Sequence, residues 1–280
     1  MHNVIGIDLG GTKISAARVH AANVQQLVTQ PITAANHLTQ IMEQIFAVIN
    51  ALLNSHTKAI GIGIPGLIDV EQQLVYDLVN IPALNELPLQ KILADKYQLP
   101  VEINNDANCF AIGEYHFGQG NSVASMVGIT LGTGMGTGIV INGQLYSGAH
   151  VGAGEFGMIN YRNHTYEYYT SGSFFNNVYH IAGQQVYTMA LKGDTAALHM
   201  YNVYGTHVGN AIQTILFAID PQVIILGGSA AKAWPFFKQA MWASINTYAY
   251  QRSLRNLHIA TSHLQNSGVL GAAALCHMHL

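Results

Sequence analysis

The amino-acid sequence predicts an α/β fold, and three observations carry the prediction. Short apolar strands alternate with stretches whose apolar residues recur at helical spacing over most of the 280 residues. A strand, a tight glycine turn and a second strand follow one another twice, at Asp8 and again at Leu131, as a duplicated α/β architecture would show. Between them a buried strand starting at Pro100 stops at Asn104-Asn105-Asp106 and hands over to a helix predicted for 107–118. In open α/β sheets ligands bind beyond the carboxyl ends of strands, so the Asp106 carboxylate stands in a place suited to chemistry. Taken alone, that stretch reads more simply as an N-cap, because Asp leads with Asn and Ser at helix starts. The glycine turns on either side reverse that reading.

Composition narrows the function. Charged residues make up 9% of the chain, against roughly 25% in an average one, so Asn, Gln, Ser, Thr and His carry much of the polar surface. Lys and Arg total 11 against 14 Asp and Glu, the net charge is −3, and no basic run occurs. A phosphate-neutralising nucleic-acid surface is therefore not expected. The 14 histidines are scattered, and together they would turn the net charge positive as pH falls through about 6.5. Cys109 and Cys276 supply neither a disulfide framework nor metal-ligand spacing, and Cys109 reads as a buried, inert thiol. The N-terminus runs straight into a strand without a signal segment, and no apolar run approaches the ~20 residues of a membrane span. A soluble, cytoplasmic chain is expected, of a length that suits two ordinary domains or one large one.

In order along the chain, residues 4–19 read as strand, turn and strand, with Gly10-Gly11 at the tip. A third strand is predicted near 26–30. Leu38, Ile41, Ile45, Val48, Ile49 and Leu52 predict a helix within 36–55. A strand at 57–64 ends in the turn Pro65-Gly66, and a short helix over 88–98 precedes the strand to Asp106. Strands at 122–130 and 139–142 flank the second glycine turn. Residues 149–172 read as a long, irregular, polar loop, a length that is usually functional or mobile. Val208, Ile212, Ile215, Leu216 and Ile219 predict a helix over 204–219, stopped by Asp220-Pro221. A buried strand at 222–226 runs into Gly227-Gly228. A helix over 234–250, a strand at 257–260 and a helix over 268–277 complete the chain.

Neither glycine turn is a P-loop, because the Gly-x-x-x-x-Gly-Lys-Ser/Thr spacing is absent. Neither is a dinucleotide fingerprint, since Gly132, Gly134, Gly136 and Gly138 fall at every second position and a strand follows where a helix should open. A hairpin tipped with glycines still presents backbone N–H groups that a phosphate can reach with no Cβ in the way. Thr12 and Thr133 add hydroxyls beside those amides. One such hairpin is unremarkable; two, with Gly227-Gly228 after a further strand, make three candidate nucleotide contacts.

At this point a resemblance becomes specific. Asp8-Leu-Gly-Gly-Thr-Lys13, Gly63-Ile-Pro-Gly66, Asn105-Asp106-Ala-Asn108, Leu131-Gly-Thr-Gly134, Gly154-Glu155-x-Gly157, Val223-Ile-Ile-Leu-Gly-Gly228 and the closing segment from Ser267 to Leu275 resemble, in order, the motifs of the ROK family of sugar kinases. The resemblance spans essentially the whole chain. It implies an actin-like, ribonuclease-H-like ATPase fold of two α/β domains around a cleft, here 1–107 with 266–280, and 108–265. It also implies ATP and Mg²⁺ as cofactors and a homodimer, with the helix over 204–219 as candidate contact or domain core. By position, Asp8, Gly10, Gly11, Thr12 and Lys13 resemble the first phosphate loop, Asp8 lying near Mg²⁺ and its waters. Gly132, Thr133 and Gly134 resemble the second loop, and Gly227 and Gly228 the turn beneath the adenosine. Asp106 resembles the general base, and Gly66, Asn80, Asn105, Glu155 and Glu167 the sugar pocket.

The chain also departs from the family. Most relatives carry a His three residues after the Glu of Gly-Glu-x-Gly and a cysteine cluster that binds zinc with it. Here the position is Met158, and 155–172 contains no cysteine. His150 and His164 without cysteines do not make a structural tetrahedral site, so no zinc is expected. Packing by Tyr161, Tyr166, Tyr168 and Tyr169 is expected to order the loop instead. Some members are repressors with a helix-turn-helix ahead of the kinase fold; this chain starts at its first strand and is mildly acidic, which argues against that role. Short zinc-free members include N-acetylmannosamine kinases, the leading substrate expectation. Glucose, N-acetylglucosamine and β-glucosides stay open, as do a non-catalytic sugar sensor and an actin- or chaperone-like ATPase.

Overall fold

The structure is a computed structural model that describes residues 3–33, 35–69, 74–78, 80–149 and 151–276. Its strands are β1 (Asn3–Leu9), β2 (Lys13–His20), β3 (Asn23–Pro31), β4 (Thr57–Ile64), β5 (Leu67–Asp69), β6 (Leu74–Tyr76), β7 (Val101–Asn105), β8 (Ser125–Leu131), β9 (Met135–Ile141), β10 (Gln144–Leu145), β11 (Asn160–Tyr161), β12 (His164–Thr165), β13 (Val223–Gly227) and β14 (His258–Thr261). The helices are α1 (Leu38–Leu52), α2 (Leu89–Tyr97), α3 (Asp106–Phe117), α4 (Tyr166–Thr170), α5 (Phe174–Tyr179), α6 (Gly183–Leu191), α7 (Thr195–Ile219), α8 (Trp234–Ile245), α9 (Gln251–Leu254) and α10 (Ser267–Leu275). Two units result, Met1–Ser122 with Gly138–Ala153 and His263–Leu280, and Val123–Thr137 with Gly154–Ser262.

The first unit is built on a sheet of order β3-β2-β1-β4-β7. β1, β2 and β3 pair antiparallel, whereas β4 and β7 run parallel to β1. Strand alternation sorts the side chains of β1. Ile5, Ile7 and Leu9 pack with α1 and α2, through Ile41, Ile45, Ile49 and Leu93 among others. Val4 faces the other way, with Ala17, Val19 and Ala59, against Val269, Leu270 and Ala273 of α10. With apolar layers on both faces the central strands need no polar alternation, and β4 is buried at all but one position. α1 buries the predicted stripe from Ile41 to Leu52, but Leu38 lies in its first turn and is exposed.

α10 lies directly on the sheet because its residues are small. A Cβ on Gly6 or Gly61 would collide with the carbonyls of Val269 and Ala272. α3 crosses α10 where Gly113 meets Gly271. That packing explains a difference from the predicted division at 107/108: α3 belongs with α10 and the first unit. The last residue of the predicted closing helix, His277, lies outside the described residues.

In the second unit β8, β13 and β14 are parallel neighbours, within a sheet of order β10-β9-β8-β13-β14. α7 starts well before the predicted residue 204. Asp194 caps it by accepting from the Ala197 amide at 2.9 Å, and Asp220, in left-handed conformation, ends it. Gly205 and Gly209 bring it close to the α8 backbone, and its Tyr204, Val208, Ile212, Ile215 and Leu216 are core. The predicted helix over 234–250 stops at Ile245.

The predicted irregular loop over 149–172 is a correction. From Phe156 on it forms a helical turn, the β11–β12 hairpin and α4. Rings supply the order that polar composition concealed: Tyr161 stacks on Tyr166 with centroids 4.4 Å apart, and His164 on Tyr168 at 3.9 Å.

Candidate active site

In the first unit, three parallel strands end side by side. Asp8 of β1 pairs with Gly63 of β4, and Ile64 of β4 with Asn105 of β7, so the carboxyl ends of β1, β4 and β7 form one rim. The rim carries Asp8, Gly66, Asn105 and Asp106. Asn105, not Asp106, is the N-cap of α3: its Oδ1 accepts from the Ala107 amide at 2.8 Å. The capping role expected of Asp106 therefore belongs to Asn105. Asn105 Nδ2 also donates to the Gly66 carbonyl at 3.1 Å, which joins the ends of β4 and β7.

Asp8 is largely withdrawn from water. Burial raises its carboxyl above the ordinary carboxylate range, and the Lys13 ammonium partly offsets this. The thiol of Cys109, one turn into α3, is pushed up by burial and then by the charges of Asp106 and Asp8, which confirms its expected inertness. Gly10 N–H donates to the Lys13 carbonyl at 3.0 Å and closes the first glycine turn. Thr12 and Lys13 are exposed at its tip, and Gly11 lies against Asn80, where a Cβ would meet Asn80 side-chain atoms at 2.7–2.8 Å.

The second unit holds the other candidates. Gly132 N–H donates to the Gly134 carbonyl at 3.0 Å. A Cβ on Gly132 would meet nothing within 4 Å, so the Cα of Gly132 borders open space. That space belongs to a cleft of about 360 Å³, a size suited to a small ligand. Besides Gly132 and Thr133 it is lined by Gln184, Tyr187, Tyr201 and Lys232. Burial pushes the Tyr201 hydroxyl up to about 12, which keeps it a neutral donor. None of these four was singled out from the sequence, since they come from three separate segments with no shared motif. Gly228 follows β13 with φ +85°, where a Cβ would strike the Leu131 backbone.

Glu155 and Glu167 are neighbours. The Glu155 carboxyl is raised by burial and further by the charge of Glu167. Glu167 Oε2 accepts from the Met135 amide at 3.0 Å and so reaches the second glycine turn. Met158 is 59% exposed and packs no core. Among the described residues no group of three or more His, Cys, Asp and Glu stands together, and His150 lies outside them.

The model of the ROK family matches residues 4–279. The chain belongs to the ROK family. It is 28% identical to a glucokinase of Halalkalibacterium halodurans, over 97% of this chain and 94% of that one. It is 29% identical to the N-acetylgalactosamine kinase AgaK of a Shewanella species, over 81% and 82% of the two chains. Among solved structures, a ROK family glucokinase from Streptomyces griseus in complex with glucose and AMPPNP superposes with a TM-score of 0.81, at 26% identity over 99% of each chain. The fold of this ROK protein is the actin-like ATPase fold.

Proposed function

We propose that this ROK protein transfers the γ-phosphoryl group of ATP to the 6-hydroxyl of a hexose or N-acetylhexosamine. The chain is an ATP-dependent sugar kinase. The observation that carries the reading is the place of Asp106, in the first turn of α3 beside its cap Asn105, where the carboxyl ends of β1, β4 and β7 form one rim. A carboxylate there serves as general base, accepting the sugar hydroxyl proton as the oxygen–phosphorus bond forms. The glycine turn from Gly132 to Gly134, with Thr133, holds the phosphates, and the 360 Å³ cleft takes the nucleoside. Gly227 and Gly228 form the turn beneath it, and the family resemblance assigns Gly10, Gly11, Thr12 and Lys13 to the other phosphate loop.

The donor set fits Mg²⁺, which binds through one or two carboxylates and substrate phosphates, and Asp8 is the carboxylate that would hold it, through water. The ion supplies charge neutralisation on the transferred phosphoryl group. Gly66, Asn80, Asn105, Glu155 and Glu167 present acceptors and donors to the sugar hydroxyls, and a sugar lacking a partner hydroxyl is rejected. N-acetylmannosamine is the first candidate, because the chain resembles the short, zinc-free members of the family that include kinases of that sugar. Glucose, N-acetylglucosamine and a β-glucoside are the competitors. The enzyme works as a cytoplasmic homodimer.

ADP release with Mg-ATP, measured against these sugars, mannose and fructose, tests the proposal. Turnover with one of them is expected. No turnover, with a sugar still raising the melting temperature, would replace the kinase by a sugar sensor.

A further inference from the structure

The stretch after the β11–β12 hairpin touches every residue of the second glycine turn or its immediate successor. Glu167 Oε2 accepts from the Met135 amide at 3.0 Å, and Thr170 Oγ1 donates to Met135 Sδ at 3.0 Å. The Gly172 amide donates to the Gly132 carbonyl at 2.7 Å, and Ser173 Oγ to the Thr133 carbonyl at 3.1 Å. A Cβ on Gly134 would collide with the Glu167 carboxylate. Residues 167–173 are thus a brace under a hairpin tip that glycine alone would leave loose.

The brace is fastened to α7 directly by Tyr204, whose Oη donates to the Thr170 carbonyl at 2.6 Å, and the residues leading into it are held at three further positions on α7. Asn210 Nδ2 donates to Tyr161 Oη at 2.7 Å, and Tyr161 Oη lies 3.1 Å from His207 Nδ1. Burial and the Arg162 charge lower the His207 value to about 4, which favours the neutral ring near pH 7. The Tyr161 ring stacks on Tyr166, the residue before Glu167, and Tyr166 Oη lies 2.7 Å from Thr214 Oγ1. Residues 207, 210 and 214 follow the helical repeat, so one face of α7 presents all three partners.

We propose that Tyr161, held by His207 and Asn210, is a positioning residue for the nucleotide: it sets α4, α4 sets Glu167, and Glu167 holds the Met135 amide that fixes the glycine turn. The inference rests on the assignment of residues 132–134 to the nucleotide phosphates. Removing the Tyr161 hydroxyl leaves Asn210 and His207 without their shared partner and frees α4 to shift. The effect then passes through Glu167.

A double-mutant cycle tests this, with the dissociation constant of the ATP analogue AMPPNP measured by calorimetry on wild type, Tyr161→Phe, Glu167→Ala and the double variant. Tyr161→Phe is expected to weaken AMPPNP binding about five- to tenfold, and to add nothing once Glu167 is Ala. Equal losses in both backgrounds, or no loss in the first, would overturn the proposal, since a general structural role predicts additivity. Thr214→Val cuts the same face more mildly and serves for the cycle if Tyr161→Phe does not fold. A wild-type protein that binds no AMPPNP would instead sink the nucleotide assignment.

Discussion

Residues 6–13 and 128–135 occupy equivalent places in the molecule. Each stretch starts Gly-Ile, ends a central strand with Leu-Gly, and turns back into an antiparallel partner. The surrounding sheets have the same order, β3-β2-β1-β4-β7 and β10-β9-β8-β13-β14, each with two parallel strands on the far side of the hairpin. The chemistry on this repeated frame differs. The position of Asp8 is Thr130 in the second hairpin, and that of Lys13 is Met135. The strand that ends at Asn105-Asp106 has its counterpart in β14, which ends at Thr261 with no carboxylate following. The second turn is one residue tighter, closing on Gly134 where the first closes on Lys13, and it borders the cleft. One copy of the frame has gathered charge and the other an open glycine turn. The lesson is that the topology supplies a glycine turn twice, and the side chains at the strand ends make the two copies chemically different.

The largest effect expected from this asymmetry is at Asp106. Asp106→Asn should lower kcat by about 10²–10⁴, the range for loss of a general base, with sugar affinity kept, as steady-state kinetics and sugar titration would measure. A near-normal kcat would remove the catalytic distinction between the copies.

Asp8→Asn should act on function and stability in opposite directions. Turnover falls, and the Mg²⁺ concentration for half-maximal rate rises. Because burial raises the Asp8 carboxyl, the folded wild type binds the proton more readily than the unfolded chain, so wild-type stability declines as pH rises above the ordinary value of 3.8. The variant should therefore be the more stable protein at neutral pH, with the difference vanishing below about pH 3.8 in denaturant titrations. The Thr130 site has no ionising group to produce such a trade.

A backbone contrast comes next. Gly228→Ala places a Cβ at positive φ against the Leu131 backbone and should cost about 2 kcal/mol or more of unfolding free energy. Gly132→Ala meets no atom within 4 Å and should leave the melting temperature within a degree or two. The smallest effect concerns the brace. The value of His207 is lowered to about 4, so stability is lost as pH falls from 6.5 toward 4. His207→Gln should flatten that acid limb of the melting-temperature profile.

Much of the fold could be read from the sequence because its signals are local. Strand apolarity, the stripe from Ile41 to Leu52 and the two glycine tips each lie within a dozen residues. The features that escaped depend on distant partners. Tyr161 meets His207 across 46 residues, which made an ordered hairpin and helix read as an irregular loop. Asn105 and Asp106 are both good capping residues, and only the backbone geometry of α3 distinguishes them. The cleft residues Tyr187, Tyr201 and Lys232 share no motif that could have gathered them. The placement of α3 followed from Gly113 and Gly271, a contact between two glycines far apart in the chain.

The central claim, that the first copy carries the chemistry and the second the nucleotide, is tested most directly by AMPPNP affinity in Asp106→Asn and Gly132→Ala. The account predicts wild-type affinity in Asp106→Asn and a loss of about tenfold or more in Gly132→Ala, whose methyl group would occupy the open space beside the turn. Lost affinity in Asp106→Asn, or full affinity in Gly132→Ala, would contradict it.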